Sequence, residues 1–123
     1  MTHLFLGLDH VQLAAPPGCE AAARAFYGGI LGLPEIEKPA NLKARGGVWF
    51  QCGNQQLHLG VQPDFRPAIK AHPAFALRGL ASLRQRLREH NVAVVEDEPL
   101  PGAIRFYVAD PFDNRLEFLE RGD

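Results

Sequence analysis

The chain has 123 residues, with 13 Lys and Arg against 14 Asp and Glu, and 46% of its residues are hydrophobic. This profile is typical of one compact domain and leaves no room for two. The formal net charge is -1 and no basic run is interleaved with aromatic residues, which excludes nucleic acid and anionic membranes as expected partners and favours small molecules. We see no signal peptide and no apolar run of about 18 residues, so we expect a cytoplasmic protein.

The two cysteines, Cys19 and Cys52, lie in different segments and outside any paired-cysteine motif. A disulfide framework or a thiolate zinc site is therefore not expected, and both side chains are predicted to act as small buried hydrophobic groups. A chain of this length can bury a core without a structural metal. Any metal that it binds is expected to serve its function.

The first half of the chain predicts one strand, one helix and three further strands. Polar and apolar residues alternate over 8–13, which predicts a strand, and apolar residues recur at helical spacing over 20–31. The helix should end where Gly32 and Pro34 follow it. Three extended segments are then predicted, at 35–38, 47–52 and 56–61.

The second half repeats the same order of elements. An extended segment over 70–77 precedes a helix over 80–90, which Asn91 is predicted to end in the left-handed conformation. Strands are then predicted at 92–97, 104–109 and 115–120.

The two halves can be aligned with an offset of about 60 residues, which pairs His10 with His72 and His58 with Glu117. We therefore predict an α+β fold in which a single domain, residues 1–123, contains two βαβββ modules, at about 5–62 and about 68–121. The two modules should form a cup-like, curved mixed sheet with flanking helices.

Four potential metal ligands oppose the apolar face of their predicted strands: His10, His58, His72 and Glu117. Because the apolar face must pack against the helices, these side chains are predicted to point into the open concavity. Three imidazoles and one carboxylate suit a divalent Zn, Fe, Mn, Co or Ni ion, with positions left for water or substrate. The identity of the metal stays open.

The sequence resembles the vicinal oxygen chelate superfamily, which includes glyoxalase I, fosfomycin-resistance transferases, extradiol dioxygenases, methylmalonyl-CoA epimerase and bleomycin-binding proteins. The resemblance spans nearly the whole chain. Its motifs are LDHV at 8–11, FYG at 26–28, LGL at 31–33, QLHL at 56–59, AHPAF at 71–75 and DP at 110–111 leading to NRLE at 114–117.

The resemblance implies that the metal ligands are the same four residues, with neighbouring substrate oxygens completing the coordination. Glu117, or a hydroxide bound to the metal, could move protons. Glyoxalase I usually carries Glu where this chain has His58, which disfavours lactoylglutathione lyase activity. We therefore expect a metal-dependent enzyme with lyase, isomerase or transferase chemistry on a small, oxygen-rich substrate that could be anionic. The alternatives are a ferrous-iron extradiol-type dioxygenase and a non-catalytic drug- or metabolite-binding protein of the bleomycin-resistance type.

Five further residues are predicted to line the substrate site: Tyr107, Trp49, Arg105, Gln51 and Gln12. Tyr107 lies ten residues before Glu117, where thiol-transferase relatives place a substrate-contacting tyrosine, and Trp49 is its counterpart in the first half. An arginine beside aromatic rings would suit an anionic ligand. The resemblance also implies a homodimer. Whether one chain completes the site, or two chains do so by exchanging modules, stays open.

Overall fold

A computed structural model describes residues 2–122 of the chain. Its first sheet has four strands in the order β1-β4-β3-β2, with β1 parallel to β4 and the other two pairings antiparallel. The strands are β1 (His10–Ala15), β2 (Glu35–Ile36), β3 (Val48–Cys52) and β4 (Gln55–Val61).

The second sheet repeats this topology in the order β5-β8-β7-β6, again with its first and last strands parallel. Its strands are β5 (Ala74–Ala76), β6 (Val95–Glu96), β7 (Ala103–Ala109) and β8 (Arg115–Arg121). The shared order confirms the predicted α+β fold of two βαβββ modules.

A helix covers one face of each sheet. Helix α1 (Glu20–Ala23) continues as a π-helix over Arg24–Ile30, and α2 spans Leu80–Glu89. Residues from both modules form one buried apolar cluster. The two modules therefore pack through the apolar faces of their sheets, which leaves the opposite faces for the polar residues.

Hydrogen bonds also join the two modules. The buried Tyr27 hydroxyl donates to Asp110 Oδ2 at 2.6 Å, and Asn114 Nδ2 donates to the Ala14 carbonyl at 2.9 Å. Burial and the neighbouring Asp110 carboxylate raise the pKa of Tyr27 well above its usual value. Tyr27 therefore stays a neutral donor across the module boundary.

Three local features differ from the sequence prediction. The predicted first helix is mostly a π-helix, in which Leu31 N–H donates to the Phe26 carbonyl. An unpredicted 3₁₀ helix spans Ala40–Arg45. Strand β5 begins only at Ala74, which leaves His72 in the loop before it. Asn91 adopts the predicted left-handed conformation, with φ of 59°.

Both cysteines are free. Cys19 is buried as predicted, whereas Cys52 is only partly buried. None of the helices in the described part of the chain is long and apolar enough to cross a membrane.

Candidate metal centre

The second module brings His72 and Glu117 into direct contact. Their Nε2 and Oε1 atoms are 2.9 Å apart, and His72 Nδ1 lies 2.8 Å from the Lys70 carbonyl oxygen. A carbonyl oxygen only accepts, so Nδ1 carries a hydrogen. Nε2 then faces the Glu117 carboxylate and is the nitrogen of His72 that could serve as a metal ligand.

Glu117 is nearly buried, with 5% of its surface exposed, and its strand position lies between Ala74 and Tyr107. Burial alone would raise the pKa of Glu117. Hydrogen bonds from His72, Tyr107 and Arg105 outweigh that effect and hold the pKa below its ordinary value. The carboxylate is therefore ionised at neutral pH, as a metal ligand must be.

Tyr107 and two arginines surround this pair. The Tyr107 ring meets the His72 ring edge to face, with centroids 5.2 Å apart, and its hydroxyl accepts from Arg105 at 3.0 Å. The Arg115 guanidinium lies 4.1 Å from the Tyr107 ring centroid. Burial and the Glu117 charge raise the pKa of Tyr107, so its hydroxyl remains protonated and can donate.

The first module holds its histidines in a stack of three rings. His58 lies between Trp49, at 3.7 Å and nearly parallel, and His10, at 4.3 Å. The register of the sheet explains the stack, since Trp49 is paired directly with His58 across β3 and β4. His10 Nδ1 lies 2.8 Å from Asp9 Oδ1, a contact that orients the ring and leaves Nε2 available.

His58 is the most buried of the candidate ligands, with 3% of its surface exposed, and its Nε2 lies 2.9 Å from Gln56 Oε1. Burial, followed by the charge of nearby His10, lowers the pKa of His58. The ring is therefore neutral at neutral pH, as a metal ligand requires, but Gln56 competes for its Nε2.

The residues predicted to line the substrate site occupy four environments. Tyr107 and Arg105 adjoin Glu117, and Trp49 adjoins His58. The Gln12 side chain lies over the bare backbone of Gly60. Gln51 donates to the carbonyls of Gly53 and Gln55, so it stabilises the turn between β3 and β4.

A single chain brings the four candidate ligands together as two pairs and not as one group. Within residues 2–122, no cluster of three or more His, Cys, Asp or Glu side chains is arranged to hold a metal ion. We call His10 with His58 the first half-site, and His72 with Glu117 the second half-site. Each half-site supplies too few ligands alone for a metal that prefers four or more.

The donor set nevertheless fits a divalent metal ion. The imidazoles of His10 and His72 each have Nδ1 bound to an oxygen, which is the arrangement that orients metal-binding histidines in proteins. Glu117 adds a negative charge in a nearly buried position. Two oriented imidazoles and one carboxylate match open catalytic sites for zinc or iron.

Two residues near the half-sites were not singled out by the sequence. Arg115 precedes Glu117 by two positions on β8, so the alternation of a strand could have placed it on the same face. Lys38, which contributes to the charge around His58, was predicted to end the extended segment 35–38. In the structure β2 ends at Ile36, so Lys38 lies in the connection that follows it.

Comparison with known proteins identifies the family. Residues 7–118 match the model of the Glyoxalase/Bleomycin resistance protein/Dioxygenase superfamily. The chain belongs to this superfamily. That match confirms the resemblance inferred from the sequence motifs. No curated protein matches the chain at a significant level.

Solved structures of the glyoxalase superfamily show the same fold. A glyoxalase family protein from Bacillus anthracis is 52% identical, with a TM-score of 0.95, over 99% of this chain and 100% of that one. Lactoylglutathione lyase from Agrobacterium tumefaciens is 23% identical, with a TM-score of 0.74, over 95% of each chain. The fosfomycin resistance protein FosX from Listeria monocytogenes, as an E126Q mutant with Mn(II) and 1S,2S-dihydroxypropylphosphonic acid, is 16% identical, with a TM-score of 0.78, over 97% of this chain and 95% of that one. The last two likenesses concern the fold alone.

Proposed function

We propose that this glyoxalase-superfamily chain is a metal-dependent enzyme that acts on a small, oxygen-rich substrate. His10, His72 and Glu117 are the principal metal ligands in this proposal. His58 is a fourth and weaker ligand, because Gln56 shares its Nε2. The His72–Glu117 contact carries the proposal, since it places an oriented imidazole and an ionised carboxylate 2.9 Å apart.

We also propose that a homodimer completes the site, with the first half-site of one chain facing the second half-site of its partner. The separation of the four donors into two pairs supports this arrangement. A symmetric dimer would then contain two such composite sites. His10 is suited to reach a partner, because 45% of its side-chain surface is exposed while Asp9 keeps the ring oriented.

When bound, a divalent cation would polarise neighbouring substrate oxygens and stabilise the negative charge that develops on them. The chain supplies the surroundings for that chemistry. The Tyr107 hydroxyl and the Arg105 guanidinium are donors beside Glu117 and can bind a substrate oxygen. Glu117 is also the candidate for proton transfer, because its carboxylate is the anionic group between His72 and Arg105.

Metal analysis tests the proposal directly. His72→Ala and Glu117→Gln should each abolish metal retention in the purified protein, while circular dichroism shows that each variant is still folded. His90→Ala is the matched control, since His90 is an exposed histidine at the end of α2 and should retain wild-type metal content. Wild-type metal content in both site variants would contradict the assignment. If the variants lose their metal as expected, turnover by the wild-type protein with methylglyoxal hemithioacetal or with fosfomycin plus a thiol would identify the reaction.

A ferrous-iron dioxygenase of the extradiol type is the second candidate. The lowered pKa of His58 favours it, because such enzymes use another neutral histidine beside two His and one carboxylate. Anaerobic purification followed by oxygen uptake with catechols would separate the two reactions. A tightly held metal without turnover on any of these substrates would instead indicate a small-molecule binding protein.

A further inference from the structure

A small cavity opens in the first module beside Trp49. It has a volume of about 270 Å³. Its walls come from β1, β3, β4 and the segment around the 3₁₀ helix, and include Gln12, Lys38, Leu42, Arg45, Trp49 and Gly60. This volume is below the roughly 300–1,000 Å³ of pockets that take a whole ligand, so it suits one substituent of a larger molecule.

The cavity is positively charged. Two basic side chains, Lys38 and Arg45, line it, and no carboxylate does so among residues 2–122. Of the nearby acidic side chains, Glu37 is paired with Lys43, and Glu20, which lies beside Gly46, accepts from the Gly47 N–H at 2.7 Å. Lys38 donates to the Gly46 carbonyl, a neutral group that leaves the charge of the ammonium uncompensated.

Two glycines shape the cavity. Gly46 has φ of +75°, and a Cβ there would lie 3.0 Å from Val61 and 3.1 Å from Glu20. Its carbonyl accepts from Lys38 Nζ, which holds the ammonium in place. A Cβ at Gly60 would overlap the Gln12 amide, so glycine lets this donor lie flat on β4. Gln12 and Lys38 are thus positioned before any ligand arrives.

The cavity also adjoins the first half-site. Trp49 forms part of its wall and stacks on His58, and Gln12 is paired with His58 across β1 and β4. The ammonium of Lys38 lies close enough to contribute to the lowered pKa of His58, after burial and His10. A bound molecule could therefore extend from the first half-site past the Trp49 ring into the cavity.

We propose that this cavity binds an anionic oxygen group, a carboxylate, phosphate or phosphonate, with Lys38 and Arg45 balancing its charge and Gln12 donating to it. In the metal-dependent enzyme proposed above, on which this role rests, the group is the acidic end of the substrate. Charge-assisted hydrogen bonds from ammonium, guanidinium and amide donors are the usual means by which proteins hold such oxygens.

Tryptophan fluorescence can report on anion binding here, because Trp49 lines the cavity and is the one tryptophan of the chain. The full chain should show a saturable change in emission with at least one of inorganic phosphate, methylphosphonate and acetate, and none with glycerol. The tightest of the three anions identifies the group. The response should weaken as salt is added, since charge drives the binding.

Substitutions then locate the anion. Combining Lys38→Met with Arg45→Met should weaken binding by about tenfold or more, since hydrogen bonds to charged groups contribute about 1.5–3 kcal/mol each. Arg45→Met alone should weaken it too, and it leaves the bond between Lys38 and Gly46 intact. Arg88→Met is the charge-matched control, because Arg88 lies on α2 in the second module and is not among the residues that line the cavity, and it should bind like the wild type.

The proposal for the anion site and the proposal for the metal site can be tested separately. In the Glu117→Gln variant, which should lose metal, the anion response should persist. A response that disappears there would place the anion on the metal and overturn the inference. No saturable response to any of the three anions, or equal binding by the wild type and the double variant, would also overturn it and leave the metal assignment untouched.

Discussion

The two half-sites occupy equivalent positions in repeated modules, yet their chemistry differs. In the second, an ionised carboxylate contacts His72 and accepts from Arg105, and the Arg115 guanidinium lies over the neighbouring Tyr107 ring. In the first, the neutral, buried His58 lies between the stacked rings of Trp49 and His10. One duplicated scaffold thus places a carboxylate at one strand position and an imidazole at the equivalent position of the other module.

The difference arises from two pairs of strand positions. His58 on β4 corresponds to Glu117 on β8, and Trp49 on β3 corresponds to Tyr107 on β7, which lies directly opposite Glu117. Tryptophan offers a flat apolar face for an imidazole to stack on, whereas tyrosine offers a hydroxyl to a carboxylate. The ring partner therefore suits the ligand in each module.

Replacing the glycine that precedes the third strand of each module should produce the largest difference in stability between the two modules. Gly47 has φ of +88°, and a Cβ there would overlap the Leu59 carbonyl oxygen on β4. Its counterpart Gly102 has φ of +75° and open space around the same point. Gly47→Ala should destabilise the fold by about 3 kcal/mol or more. Gly102→Ala should cost only about 1 kcal/mol, from its left-handed backbone.

Urea unfolding of both glycine variants measures these costs. The Gly47→Ala chain should also show altered Trp49 emission, because Gly47 begins the turn into β3. Equal destabilisation by the two substitutions would mean that the modules do not differ in how closely their strands approach.

Replacing His58 tests whether the first half-site depends on ring stacking or on ligation. His58→Phe keeps a flat ring between Trp49 and His10 but removes both nitrogens. We expect zinc affinity to fall by about tenfold, within the range typical of groups that support a metal site. A competition titration with a chelator measures this. Complete loss of binding would make His58 an indispensable ligand, and unchanged affinity would remove it from the site.

Replacing Glu20 should have the smallest effect on stability, and that effect should depend on pH. The bond from Gly47 N–H lowers the pKa of Glu20 below 4.5. A carboxyl group with a lowered pKa contributes its full stabilisation when the pH is above the group's ordinary pKa. This stabilisation is lost as the pH falls through the pKa of the group in the folded chain. Glu20→Gln should therefore destabilise the chain by about 1 kcal/mol at pH 7 and by less near pH 3. Thermal unfolding across this range checks it, and a constant difference would contradict it.

Much of the fold could be predicted from the sequence, because strand alternation and the repeat determine which residues face the helices. Asn91 at φ of 59° shows how well a single turn residue can be predicted. The π-helix could not be predicted in this way, because its apolar spacing resembles that of an α-helix. Glycines at 28 and 29 lie inside it, and Gly28 packs against Phe50, with a Cβ position only 3.6 Å from that ring.

The candidate site was less predictable from the sequence. Alternation indicates the face on which His58 lies, but not that its ring is held between Trp49 and His10, since that depends on side-chain rotamers in the folded sheet. Residues from connections were harder still, because Lys38 was predicted to lie in a strand and instead reaches the cavity from the connection after β2. The separation of the four donors into two pairs depends on how the sheets pack, which no local pattern encodes.

Mixed dimers test most directly whether two chains build the metal centre. A His10→Ala chain and a Glu117→Gln chain should each retain no metal alone. If half-sites combine across subunits, a dimer containing one chain of each kind has one intact site. Random mixing should then restore about one quarter of the wild-type metal content, because about half of the dimers are mixed. Metal content that stays at zero in mixtures shown to contain mixed dimers would contradict the composite site.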